Sequence, residues 1–216
     1  MDKKVHKAKL KAKRKEEILT ASMEIFAKYG YHETDVEEIA RLAGLGKGTV
    51  YRYFKSKENL FLSTLEWGLS TLRDQILEAW SKVDNCVDKV KTALVTYLQF
   101  FEKDRDFYRV LVQERIWTEV KSASQKWKER HLSHIHHLVK ILKEGIEKGN
   151  FKKVDPESAA FALLGITNSI LYKWLTSEKE YPINKEISII EEIFFKGILK
   201  NPQNPPPAVK RRKEIR

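Results

Sequence analysis

The sequence is poor in the residues that staple, break or anchor a chain. It has one cysteine, Cys86, in 216 residues. An internal disulfide is therefore excluded, which fits a reducing, intracellular setting. Glycine (9) and proline (6) are scarce, and no period-2 alternation persists long enough to predict a strand. No apolar run follows the charges of residues 1–7, so the start does not read as a signal peptide. The longest greasy stretch, residues 159–175, is interrupted by Thr167, Asn168, Ser169 and Lys173. A bilayer span needs about 20 largely uninterrupted apolar residues, so this stretch is expected to be a buried helix, with no membrane partner and a cytoplasmic location. Also missing are a nucleophile motif, a glycine-rich phosphate loop after a strand and a metal-ligand signature. An enzyme is not expected, and no cofactor is implied.

What is abundant is positive charge. The formal net charge is +11, a balance that favours a polyanionic partner, of which nucleic acid is the commonest. The charge is concentrated at the ends. Residues 3–15 hold eight Lys or Arg against no acid, and a second cluster lies at 210–216. The N-terminal arm, residues 1–14, has two readings. It follows the backbone or minor groove of DNA, as other N-terminal arms do, or it is a solvated, self-repelling tail. Residues 201–216, Pro-rich and then basic, read as a disordered tail.

Between these ends the apolar residues recur at helical spacing. Ile18, Ser22, Ile25, Phe26 and Tyr29 share one face, and Gly30 is placed to end that helix in a left-handed conformation. Thr34 and Glu37 have capping-box spacing at the start of a second helix, whose inner face is Val36, Ile39, Ala40 and Ala43. A third short helix is predicted from about Gly46 to Tyr53. Ser56 can cap a fourth, predicted over 57–81. Longer helices follow, on Val87–Val90–Leu94–Leu98–Phe101, on Phe107–Leu111, and on Ile135–Leu138–Leu142–Ile146. Asp155-Pro156 reads as N-cap and N1 of a helix to about 176 that is apolar nearly all round. A last helix is predicted over about 184–199.

The spacing within residues 34–54 carries the function. Two short helices meet across Ala43-Gly44-Leu45-Gly46, which is helix-turn-helix spacing. Leu45 and Val50 are placed to seal the corner against Ile39. A recognition helix must stand clear of the body so that its N-terminal residues reach base edges in the major groove. Gly46 and Gly48 let the backbone approach closely, and Lys47, Thr49, Tyr51 and Tyr53 supply donors at that end. Val50, Phe54 and Leu60 are assigned to packing.

The run Ala-Gly-Leu-Gly-Lys-Gly-Thr-Val-Tyr-Arg-Tyr-Phe-Lys-Ser-Lys-Glu-Asn-Leu, residues 43–60, resembles the signature of the TetR (tetracycline repressor) family. Residues 18–31 resemble that family's first helix. The resemblance covers about residues 15–61; Gly46 departs from it, because a Ser or Thr usually caps the recognition helix there. It implies an all-α protein of about nine helices. An N-terminal three-helix helix-turn-helix DNA-binding domain (15–61) would be joined to a larger helical effector-binding and dimerisation domain (62–200). It implies that Lys47, Tyr51 and Tyr53 contact phosphates, that Gly48 and Thr49 face bases, and that Thr34 and Lys57 touch the DNA backbone from two helix starts.

The resemblance further implies a homodimer through the helices at about 156–176 and 184–199. Two readers would then match the half-sites of a palindromic operator. It implies, most often, a repressor released by a small hydrophobic or amphipathic effector, such as a fatty acyl compound. The middle helices hold candidates to line its pocket: Tyr97, Phe101, Tyr108, Trp117, Trp127 and Asn168. The alternative is the same DNA reader controlled by a protein partner. His131, His134, His136 and His137 lie at helical spacing with no acidic or Cys partner nearby in sequence, and they read as an exposed helix face, not as a metal site.

Overall fold

The computed structural model describes residues 2–117, 124–178 and 181–199, with side chains for 5–112, 135–178 and 181–199. The expected side chains of Trp117, Trp127, His131 and His134, and the expected tail at 201–216, lie outside these residues. Nine helices and no strand occur among the described residues.

Helix α1 runs from Asp2 to Glu33. The basic arm is thus not a separate segment but the first turns of α1. Its composition of Lys, Ala, Leu and Arg is that of good helix formers, with nothing to break the run before Gly30. Gly30 sits at φ 77° and ψ 168°, so where the sequence predicts a left-handed stop the helix kinks and resumes to Glu33. Ile18, Ser22, Ile25 and Phe26 are buried as expected, Leu19 is buried beside them, and Tyr29 points outward.

Helix α2 is Val36–Leu42 and α3 is Lys47–Tyr53. Gly44 at φ 67° turns the chain between them, a conformation that costs a side-chain-bearing residue roughly 1–2 kcal/mol. At the predicted corner Ile39 and Val50 are fully buried, and Leu45 is partly buried against the core. Helix α4, Lys57–Trp80, opens on Ser56, whose hydroxyl accepts from the Asn59 N–H at 3.0 Å. Phe61 of α4 meets the edges of Phe26 and Tyr31 at 5.0 and 5.1 Å between centroids. That cluster fixes α1 to α4, and α1 also packs along α6 (Arg105–Trp117) of the second domain.

The rest is α5 (Cys86–Lys103), α6 (Arg105–Trp117), α7 (Ser124–Glu147), α8 (Pro156–Leu175) and α9. The last begins as Asn184–Ile190, widens into a π-helical stretch, Glu191–Phe195, and ends with Lys196–Ile198. Asp155 caps α8 by accepting from the Ser158 N–H at 2.7 Å. A single antiparallel bridge, Phe151 to Leu199, closes the chain behind α7. Lys173 of α8 reaches the buried Glu186 of α9 at 2.9 Å.

Within one chain α8 is buried on one side only. Ala160, Leu163, Thr167, Leu171 and Trp174 are buried. Phe161 and Tyr172 on its other side are 45% and 56% exposed, and Ile189 and Ile193 of α9 are 44% and 56% exposed. One chain folds around only half of this pair and leaves an apolar face open. Among the described residues no helix is long and apolar enough to cross a membrane.

Candidate nucleic-acid interface

Helix α3 is held by one buried residue. Val50 anchors it from within, and Phe54 closes its C-terminal end, its N–H donating to the Val50 carbonyl at 2.9 Å. Gly48, Tyr51 and Arg52 are exposed, and Lys47, Thr49 and Tyr53 are half-buried. A helix attached by so little of its surface presents the remainder outward. Gly46 is the N-cap and makes no side-chain cap bond, and the Thr49 N–H in the first turn donates to the Gly46 carbonyl at 2.8 Å. No heavy atom lies within 4 Å of where a Cβ would stand at Gly46 or Gly48. That leaves room for another backbone or a base to come close.

The outward face is more tightly wired than its sequence suggests. Lys47 Nζ lies 3.0 Å from Asp35 Oδ1 and 3.9 Å from Glu37 Oε2. The hydrogen bond from Lys47 to Asp35 is the main reason that the ammonium titrates above its ordinary value. Asp35 is held below the usual carboxylate range, first by the Glu37 N–H at 2.9 Å and then by Lys47. Arg52 donates to the Thr49 hydroxyl at 2.8 Å. The candidate base reader is therefore oriented by its neighbour one turn along. The 49/52 spacing of i, i+3 could have revealed this pair. The Asp35–Lys47 pair spans the turn and carries no local signal.

Two expectations shift. The cap of α2 is Asp35 and not Thr34. Thr34 is buried and its hydroxyl donates back to the Gly30 carbonyl at 2.6 Å. It ties α1 to α2 and leaves no exposed hydroxyl for the phosphate contact expected of it. Both residues are good caps, and the sequence does not say which of two adjacent ones takes the position. Lys57 sits at the start of α4 as expected, but its ammonium donates to the His32 carbonyl at 2.8 Å and stands 5.0 Å over the Tyr31 ring. Tyr53 packs partly on the core, and Tyr51 remains exposed.

Four of the expected effector-lining residues meet in the second domain. The Tyr97 hydroxyl on α5 donates to Asn168 Oδ1 on α8 at 2.9 Å, and the Tyr108 hydroxyl on α6 donates to the Asn168 carbonyl at 2.8 Å. Phe101 lies between the two tyrosines, 4.9 Å from one ring and 5.1 Å from the other. Three helices thus converge on an aromatic wall with a polar spine. Phe107 stacks on Phe101 at 5.6 Å and presses against Gly68 of α4, the helix that leads back to the reader. His136 and His137 are exposed, His137 near Trp80.

Comparison with known proteins agrees with this architecture. The profile of bacterial regulatory proteins of the tetR family matches residues 18–64, and that of the tetracyclin repressor-like C-terminal domain matches residues 83–197. The chain is 30% identical over 201 residues to the HTH-type transcriptional regulator YhgD of Bacillus subtilis, covering 87% of this chain and 98% of that one. It is 24% identical over 183 residues to the fatty acid metabolism regulator protein of the same organism, covering 84% and 94%. The crystal structure of the transcriptional regulator FadR from Bacillus subtilis in complex with stearoyl-CoA superposes with a TM-score of 0.72 at 22% identity, over 84% of this chain and 97% of that one. With the exposed α3, the capped helix-turn-helix corner and both profiles in agreement, the chain belongs to the TetR family of DNA-binding transcriptional regulators.

Proposed function

We propose that this protein is a repressor that binds a palindromic operator as a homodimer and is released by a long-chain acyl effector in its second domain. The observation that carries the DNA half is the single-residue anchorage of α3: Val50 is its one buried residue. Lys47 and Tyr51 bind phosphates, Tyr53 and Lys57 support them from the edge, and Gly48 with Thr49 faces base edges. Lys47 gives up its bond to Asp35 when a phosphate replaces it. Phosphate contacts set register and base contacts set sequence.

The dimer uses the open face of α8 and α9. Phe161, Tyr172, Ile189 and Ile193 form an apolar surface that a second copy covers about a two-fold axis. That axis gives two readers the symmetry of a palindrome.

The effector reading rests on the Tyr97–Phe101–Tyr108–Asn168 constellation and on the names of two relatives, one a fatty acid metabolism regulator and one seen with stearoyl-CoA. An acyl chain lies against the aromatic wall, and Asn168 with the tyrosine hydroxyls meets its polar end. The effector must prefer the conformation that does not bind DNA, since only differential affinity shifts a population. The protein acts through binding and performs no catalysis.

The test is a titration. The complex with a duplex selected from random DNA is followed by fluorescence anisotropy while palmitoyl-CoA, stearoyl-CoA or coenzyme A alone is added. Release by the acyl thioesters but not by coenzyme A supports the reading. Release by none of them, with the DNA still bound, contradicts the acyl effector and favours control by a protein partner.

A further inference from the structure

We propose that the first four turns of α1 are a DNA-binding element in their own right. They form a helical rod whose one basic face, Lys7, Lys11 and Lys15, holds the phosphates of duplex DNA flanking the half-site read by α3. The proposal rests on the DNA-binding reading above and extends it beyond the helix-turn-helix.

Three observations converge. First, residues 5–16 are helical and exposed along their whole length, so this part of α1 is not buried in the fold. At 1.5 Å per residue it reaches about 20 Å from Lys15 to its start. Second, the rod is at odds with itself when free. Lys7–Lys11, Lys9–Lys13 and Lys11–Lys15 are like charges at i, i+4, an unfavourable arrangement. Cations in an N-terminal turn also oppose the helix dipole. No acid precedes Glu16 after Asp2, and the ion pair of Arg14 with Glu17 at 3.0 Å lies at the root. A polyanion laid along the rod relieves all of these.

Third, the charge is one-sided in a meaningful direction. At about 100° per residue, Lys7, Lys11, Arg14 and Lys15 fall within an arc of about 100°. Ile18, Ser22 and Ile25, which are buried in the core, fall in that same arc. The inward face of the helix therefore continues past the end of the core as a row of cations spaced about 6 Å apart. Lys9 and Lys13 lie on the opposite side. The root confirms the direction: Lys15 Nζ stands 5.9 Å from the centroid of Phe54, the residue that caps α3. What the row faces is what lies against the reader, and α3 directs the reader to duplex DNA. An anionic membrane is the poorer occupant, because an interfacial helix needs a broad apolar face. The bulky apolar residues here, Val5 and Leu10, are both exposed and fall on different sides.

The experiment compares two matched double variants, Lys7→Gln/Lys11→Gln and Lys9→Gln/Lys13→Gln, with the unaltered full chain. Affinity is measured against salt on a long duplex carrying the selected site and on one trimmed to its two half-sites. Circular dichroism establishes that each variant is folded. The proposal expects the inward pair to flatten the slope of log K on log salt by about 3.6 on the long duplex, two contacts in each of two protomers at about 0.9 each. It expects little difference on the trimmed duplex, and less than about 0.5 from the outward pair on either. Equal effects from both pairs would mean a diffuse cloud of charge and would overturn it. So would no effect from either pair, a loss that persists on the trimmed duplex, or unchanged DNA slopes with retention on phosphatidylserine vesicles. If the unaltered chain selects no DNA at all, the function reading itself falls. If it selects a site and the two double variants match it, only the rod does.

Discussion

Lys47 holds an ion pair with Asp35, and under the proposed function DNA binding would exchange that carboxylate for a phosphate. Lys47→Ala is expected to weaken binding to every sequence alike and to reduce the salt slope of the dimer by about 1.8, one contact of about 0.9 in each copy; a filter-binding series across salt concentrations checks both. Asp35→Asn keeps a side chain that caps α2 equally well while removing the competitor. It is expected to tighten binding roughly two- to fivefold, the scale of an exposed ion pair, as read by anisotropy at fixed salt. The sign with pH follows from the lowered Asp35 titration. Its stabilising contacts are complete above the ordinary carboxylate range and fade only as pH falls through the lowered value. At this scale the sequence was a fair guide to which side chains face outward on α3, because one packed residue per turn is legible from periodicity. It was a poor guide to their partners. The choice between Thr34 and Asp35 as cap, and the reach of Lys47 across the turn, are settled by backbone geometry that spacing does not encode.

Among the elements, α4 carries the connection between the two domains. Its Gly68 is a site of close approach: a Cβ there would stand 2.5 Å from two ring atoms of Phe107. That ring is fully buried and stacked on Phe101, so it has little room to yield. Gly68→Ala gains about 1 kcal/mol of helix propensity but overpacks the contact at a cost of about 1–3 kcal/mol. The net expectation is a melting temperature lowered by several degrees, with the effector response altered more than the affinity for DNA in its absence. Differential scanning calorimetry and the acyl-CoA titration read these two effects. Helix number and order were legible in the sequence because each helix has a stripe, a cap or a glycine stop. The extension of α1 through the arm was not. A run of lysines satisfies helix propensity and the signature of a charged tail equally well, and periodicity has no apolar residues there to act on. The π-helical stretch in α9 likewise leaves no mark on an apolar pattern that is dense on several sides.

For the whole molecule, the question is what covers α8 and α9. The sequence shows a helix with too few polar residues for an exposed surface, which says that it is buried but not by what. The fold answers half of this by leaving Phe161, Tyr172, Ile189 and Ile193 uncovered. Tyr172→Glu and Ile193→Glu are expected to leave the protomer folded, since both positions are exposed in it. Each places a carboxylate in the dimer twice over. At about 3–5 kcal/mol for an uncompensated buried charge, dimer dissociation should strengthen about 100-fold or more. Sedimentation equilibrium checks this, and a variant that remains as dimeric as the parent would place the interface elsewhere.

The central claim is that Lys47–Tyr53 reads duplex DNA in two symmetry-related copies. Its most direct test is selection of bound sequences from random DNA by the parent and by Thr49→Val, side by side. The account predicts an inverted repeat for the parent, and for the variant the same spacing with the preference changed at mirror-related positions in both halves. No enriched repeat, or the same repeat unchanged in the variant, would contradict it.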